Sequence, residues 1–377
     1  MTTMKKSTLY ILVLIAGHYI AAGQSRGPLL QEIMDKYAAM GIPGVAAAVV
    51  DPDGPWEGAS GFARIEDLTP MTPANLQYSQ SVSKSYMAVA ILMLYEEGKV
   101  DLDEKITAYL PKEVSDKVTG AGKMTVRMLL NHTSGAAEYN MVPRYIAYLV
   151  QHPEHVFTTT DYLNYIAGAP IQFEAGSKYR YTNMNYELLA LIGDQLTGDH
   201  ARYIREKIFV PLGLTRSFYR DDADYLDRPG AVNSYWDRYS NGVLENCTEM
   251  QKINIASMIG DDGMVATPMD YALFLKGLFE GKLLRQSTLD QMLAIVERNP
   301  GTENSYGYGL GLHRDYHNGL VEYGHTGGGI GAGCYLGYFP DRNRYFFFAI
   351  NLGTSIAGPI HEQVGNMLGE MLEVLSR

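Results

Sequence analysis

The chain has 377 residues, a formal net charge of −11, 46% hydrophobic and 19% charged residues. That balance excludes a disordered, solvating polypeptide, and the acidic excess argues against nucleic acid or an anionic lipid surface as the main partner. Two cysteines, Cys247 and Cys334, cannot build a disulfide scaffold or a CxxC metal or redox site, although they could pair with each other.

Met1 to Gly23 reads as a secretory leader. Lys5 and Lys6 supply the positive start, Leu9 to Ala16 a short apolar run, and Ala21-Ala22-Gly23 the small residues of a cleavage site. The run is short for a membrane span, which needs about 20 apolar residues. The expectation is a mature chain from about residue 24 in a bacterial periplasm or outside the cell, with no integral membrane segment. Gln31 to Met40 then reads as a helix. Gly44 to Val50 is an apolar strand, residues 51–54 a turn, and Trp56 to Ile65 the returning strand of a hairpin. From Ser79 to Glu97 apolar residues fall on nearly every side, which predicts a buried helix ended by Gly98.

The middle of the chain, about 100 to 290, carries helical periodicity broken by Pro and Gly. Helices are expected over Val126 to Asn131, Tyr145 to Gln151, Tyr186 to Leu196 and Tyr271 to Phe279. Beyond about 300 the period becomes two. Strands are expected over Tyr306 to His313, Leu320 to Gly324, Cys334 to Phe339 and Arg344 to Asn351, before a closing amphipathic helix over Ile360 to Leu375. Strands at both ends and helices between predict an α/β (α+β) fold. Its antiparallel sheet is built from both chain ends, with flanking helices and an inserted, mostly helical region. The expected organisation is one catalytic unit over 24–377, with a sheet part near 24–80 and 290–377 and a helical part near 81–289. A cleft between the two is the natural place for a site.

Three short motifs carry chemistry. Ser81-Val82-Ser83-Lys84 opens the buried helix, and positions i and i+3 share a face, so the Ser81 hydroxyl and the Lys84 amine can meet. A serine hydroxyl needs a base, and burial pushes a lysine toward the neutral amine that can act as one. Tyr181-Thr182-Asn183 lies between a Gly-containing turn and a helix; near Lys84 its phenol could relay protons. Gly324-His325-Thr326-Gly327 sits on a late strand that could offer a backbone N–H to an oxyanion and a side chain to substrate. Other patterns fail on context. Gly327-x-Gly329-x-x-Ala332 precedes a strand rather than a helix, so it is no dinucleotide fingerprint. His152 and His155 have no third ligand nearby. Asp261-Asp262 reads as a solvated loop pair that could favour cationic substrates if it lay near a cleft.

Taken together and in order, SVSK, YTN and HTG resemble the serine β-lactamase and penicillin-binding protein superfamily. The resembling branch holds class C β-lactamases, D-Ala-D-Ala carboxypeptidases, D-peptidases and esterases. Leu129 to Gly135 (LLNHTSG), Pro211 to Leu214 (PLGL) and Gly263 to Asp270 extend the likeness over nearly the whole mature chain. The resemblance implies the β-lactamase/transpeptidase-like fold, no metal and no cofactor. It casts Ser81 as acylated nucleophile, and Lys84 and Tyr181 as the acid/base pair. Asn183, His325, Thr326 and Gly327 become substrate-binding residues, and the backbone N–H groups of Ser81 and Gly328 the oxyanion hole. Asn131 and His132 receive structural roles. Class C β-lactamases usually carry Lys-Thr-Gly where this chain has His325. A neutral imidazole offers less charge to a β-lactam carboxylate, so the implied substrate is a D-amino-acid peptide, a cell-wall fragment or a small ester. A β-lactamase and a non-catalytic penicillin-binding or sensor module remain the alternatives.

Overall fold

The computed structural model describes residues 26–302, 304–355 and 358–377; the leader over Met1 to Gly23 lies outside them. The elements that position the site are, in chain order, α1 (Arg26–Ala39), β1 (Gly44–Asp51), β2 (Gly54–Arg64), β3 (Thr69–Pro70), α2 (Ser83–Glu96), α3 (Met184–Thr197) and α4 (Pro268–Phe279). There follow β4 (Val296–Glu297), β5 (Gly307–Tyr308), β6 (His313–His317), β7 (Leu320–Gly328), β8 (Gly333–Phe339), β9 (Arg344–Ile350) and α5 (Pro359–Ser376).

Among the described residues the strands form a nine-stranded sheet in the order β3-β2-β1-β9-β8-β7-β6-β5-β4. The two chain ends meet at its centre. β1 pairs antiparallel with β9, Val45 opposite Ile350 and Val49 opposite Phe346, within the sheet built from both chain ends that the sequence pattern predicts. β9 shows why an apolar run of this length is a central strand. Tyr345, Phe347 and Ala349 enter one core, while Phe346, Phe348 and Ile350 enter the other, so both faces are covered. On one face lie α1 and α5, through Leu30, Met34, Met367 and Met371. On the other lie α4, α2 and the helical region. Tyr86 of α2 stacks on Phe274 of α4 at 3.6 Å between ring centroids.

α2 is buried on every side from Ser83 to Leu92, as its all-round apolar sequence requires. Two expectations are corrected. Ser81 is not in the α-helix but in a 3-10 turn, Gln80–Val82, that leads into it. Tyr306 to His313 is not one strand: β5 stops at Tyr308 and β6 starts at His313. The glycines between explain the break. A Cβ at Gly309 would lie 2.1 Å from the Met292 carbonyl oxygen. One at Gly311, whose φ is +90°, would lie 2.2 Å from the Ala88 side chain, so this stretch is turned to let α2 approach. Cys247 and Cys334 are both free and buried. The Cys334 thiol donates instead to the Ser79 carbonyl. Among the described residues, no helix is long and apolar enough to cross a membrane.

Candidate active site

The 3-10 turn that carries Ser81 is held from several directions. Ser79 pairs its N–H with the Met264 carbonyl at 3.0 Å. Its hydroxyl contacts the Ser83 hydroxyl at 2.6 Å and accepts from the Met264 N–H. Gln80 is driven to φ +45°, a left-handed conformation costly for a residue with a Cβ. From β7, Gly327 lies flat against this turn: a Cβ there would be 2.7 Å from the Ser79 carbonyl oxygen and from the Gln80 side chain. Gly327 therefore serves close packing of strand against turn rather than facing the cavity. Ser83 and Ser85 point elsewhere, the Ser85 hydroxyl donating to the Gly311 carbonyl at 2.8 Å.

One turn on, Lys84 is fully buried, and its Nζ lies 3.2 Å from Ser81 Oγ. The same Nζ also donates to the Asp261 carbonyl at 2.9 Å and lies 3.9 Å from Asp261 Oδ2. It stands 5.2 Å above the Tyr181 ring and 5.7 Å above that of Tyr186. Burial lowers the Lys84 pKa from its ordinary value, and the nearby Asp261 and Asp262 carboxyls only partly oppose this.

Tyr181 is brought to the same point by the stretch before α3. Burial raises its phenol well above the ordinary value, offset only in part by the neighbouring Ser81 hydroxyl, and the Tyr181 hydroxyl is buried without a hydrogen-bond partner. Tyr181 thus stands as a neutral phenol. His132, with φ +60°, packs its ring against that of Tyr181, tilted by 36° with centroids 4.3 Å apart. The His132 Nδ1 accepts from the Thr182 N–H and contacts the Asn185 amide, which fixes the YTN segment from behind. Asn183 gives its N–H to the Glu138 carboxylate at the head of α3.

Ser81, Tyr181, His325, Thr326 and Gly328 share the wall of one cavity of about 570 Å³. Tyr179, Tyr306, Arg180 and Arg298 complete its rim. Thr326 is exposed to it, but His325 is only 3% exposed. Its Nδ1 donates to the Thr326 carbonyl at 2.6 Å, and the Tyr308 hydroxyl donates to its Nε2 at 2.8 Å. Burial, His313 and Lys84 hold the imidazole well below its ordinary pKa, so it is neutral. Asp261 and Asp262 are not solvated: they are 2% and 5% exposed. Sequence reasoning also passed over Glu187, fully buried inside α3, whose charge nothing in the helical pattern flags. Among the described residues, no group of three or more His, Cys, Asp or Glu side chains could hold a metal.

Residues of both chain ends and of the helical middle thus meet at one serine beside a buried lysine, on the β-lactamase/transpeptidase fold. A beta-lactamase family profile matches residues 29–361, and the chain belongs to the beta-lactamase family. It is similar to penicillin-binding protein 4* of Bacillus subtilis, 24% identical over 299 residues, covering 77% of this chain and 64% of that protein. It is also similar to a D-aminopeptidase of Brucella anthropi, 27% identical, covering 72% of this chain and 49% of the relative. The chain thus spans under two thirds of the length of these curated relatives. Among solved structures, a D-amino acid amidase of Ochrobactrum anthropi complexed with L-phenylalanine amide superposes with a TM-score of 0.80. It is 25% identical, and the match covers 93% of this chain and 98% of that one.

Proposed function

We propose that this protein is a serine hydrolase that cleaves amide or ester bonds through an acyl-enzyme on Ser81. The observation that carries the reading is the 3.2 Å contact between Ser81 Oγ and the buried Lys84 Nζ at the wall of the cavity. Burial favours the neutral amine, which takes the Ser81 proton as Oγ attacks the substrate carbonyl. The backbone N–H groups of Ser81 and Gly328 bind the oxyanion. The proton passes from Lys84, with Tyr181 as the neighbouring phenol, to the departing amine or alcohol. Water then attacks the ester, and Ser81 recovers its proton. Asn183 and Thr326 hold the substrate amide and its far side. His325, with both nitrogens engaged, shapes the wall and fixes Thr326 through the carbonyl it binds.

The substrate class is a D-amino-acid peptide, a cell-wall fragment or a small ester. The neutral His325 supports this over an anionic β-lactam, as do relatives named for D-aminopeptidase and D-amino acid amidase activity. The residues from 24 onward act as one catalytic unit, released to the periplasm or medium when the leader is cut near Gly23. Labelling with a fluorophosphonate, followed by a panel of D-peptides, p-nitrophenyl esters and nitrocefin, tests the reading. A serine adduct in the wild type and none in Ser81→Ala is expected; equal labelling of the two overturns it. Mass measurement of the exported protein reads the leader cut directly.

A further inference from the structure

One set of buried ionisable side chains has no part in that reaction. Behind Lys84, Gly260 adopts φ +72°, and a Cβ there would lie 2.5 Å from the Tyr186 carbonyl oxygen. This tight turn presents both the carbonyl and the carboxyl of Asp261 to the lysine, at 2.9 Å and 3.9 Å. The Tyr139 hydroxyl donates to Asp261 Oδ2 at 3.4 Å, while Oδ1 is buried with no hydrogen-bond partner. Glu187 interacts with the same carboxyl from α3. Its Oε1 accepts from the Ile259 N–H at 3.2 Å and its Oε2 from the Thr159 hydroxyl at 3.0 Å. Two neighbouring carboxyls in a low-dielectric interior do not both ionise, and the unpartnered oxygen is where a proton fits. Burial raises both groups above the ordinary carboxyl range; Asp261 pushes Glu187 higher still, whereas Glu187, with Lys84 and Tyr139, holds Asp261 lower.

We propose that Asp261 and Glu187 share one proton, and that its position on this pair sets the fraction of Lys84 that is neutral, making Asp261 a positioning residue for the Ser81–Lys84 pair. With the proton on Asp261, Lys84 faces a neutral acid and favours its free amine. When Lys84 takes the Ser81 proton, the shared proton moves from Asp261 to Glu187, and the new ammonium meets a carboxylate. The pair keeps one proton throughout, so the step needs no other reactant. Other charged or titratable groups face Lys84 as well. Asp262 and Glu138 lie on the acid side, with the neutral His132 and His325 and the rings of Tyr181 and Tyr186 around the rest. None of these has both its carbonyl and its carboxyl on the ammonium.

The inference rests on Lys84 as the base, and its test separates the two ideas. The rate of fluorophosphonate labelling is measured against pH in the full chain. Asp261→Asn removes the negative charge and moves the acid limb to lower pH by about one unit or more. Glu187→Gln leaves Asp261 to ionise alone, holds Lys84 as ammonium and moves the limb to higher pH. Opposite shifts are the signature that a packing defect does not give. Asp261→Ala, expected to shift downward like Asp261→Asn, stands in if the latter fails to fold. Limbs that stay in place, or move the same way in both variants, overturn the shared proton. Labelling that persists in Ser81→Ala overturns the acyl-enzyme instead.

Discussion

The two walls of the cleft are buried alike and treat charge in opposite ways. On the helix side Lys84 is surrounded by groups that can meet a cation: Asp261, Asp262, Glu138 and two aromatic faces. On the strand side His325 is bound by a carbonyl and a phenol, and the nearby Glu322 is taken by His313 at 2.8 Å and Tyr335 at 3.2 Å. Burial lowers the pKa of both bases, but only Lys84 has partners that make protonation recoverable. A group that must gain and lose a proton each cycle needs that arrangement. A group that only shapes a wall is better fixed in one neutral tautomer.

The contrast breaks most severely at Lys84. Lys84→Arg keeps the cation but cannot deprotonate, so acylation should fall by about a hundredfold to ten-thousandfold in a burst assay, with the fold intact by circular dichroism. A near-normal burst would place the base elsewhere. On the neutral wall, Tyr308→Phe leaves the buried His325 Nε2 without its donor and should cost about 1–3 kcal/mol in urea unfolding. Its effect on acylation should be far smaller than that of Lys84→Arg.

Asp262 sharpens the comparison through pH. Burial and Asp261 raise its carboxyl to about 7 from an ordinary 3.8. A raised folded-state pKa gives stability that is complete below about 4 and is lost as pH rises toward 7. Asp262→Asn should therefore melt like the wild type near pH 4 and a few degrees higher above pH 7 by calorimetry. Equal melting at both ends would show that this carboxyl does not titrate with folding. The smallest effect is expected at the rim. Arg298→Ala should raise KM a few-fold for substrates bearing a carboxylate, in low salt, and leave neutral esters unchanged.

The sheet was legible because its strands are short, alternating and bounded by turns. Val45 to Val50 and Tyr345 to Ile350 announce a strand buried on both faces before any partner is known. The nucleophile and base were legible through their spacing of three, which survives the change from α-helix to 3-10 turn at Ser81. Asp261, Asp262 and Glu187 were not. An acidic residue carries no mark of burial in the sequence, and what buries these is the left-handed turn at Gly260 packed on α3. The break at residues 309–311 was missed for a related reason. Period-two alternation continues through it, whereas the obstacle, Ala88 of α2, lies far away along the chain.

The pairing of β1 with β9 also orders events in time. During synthesis Val45 emerges early, and its neighbour Ile350 is added on the order of tens of seconds later at ~5–20 residues per second. The N-terminal hairpin must wait with one edge open, and Gly327 reaches the turn at Ser81 only with the late strands. A nascent chain therefore holds the nucleophile long before it holds the strand that completes the cavity. Reactivity arrives as a property of the finished chain, and a product truncated before Arg344 would carry Ser81 and Lys84 without a closed sheet to aim them.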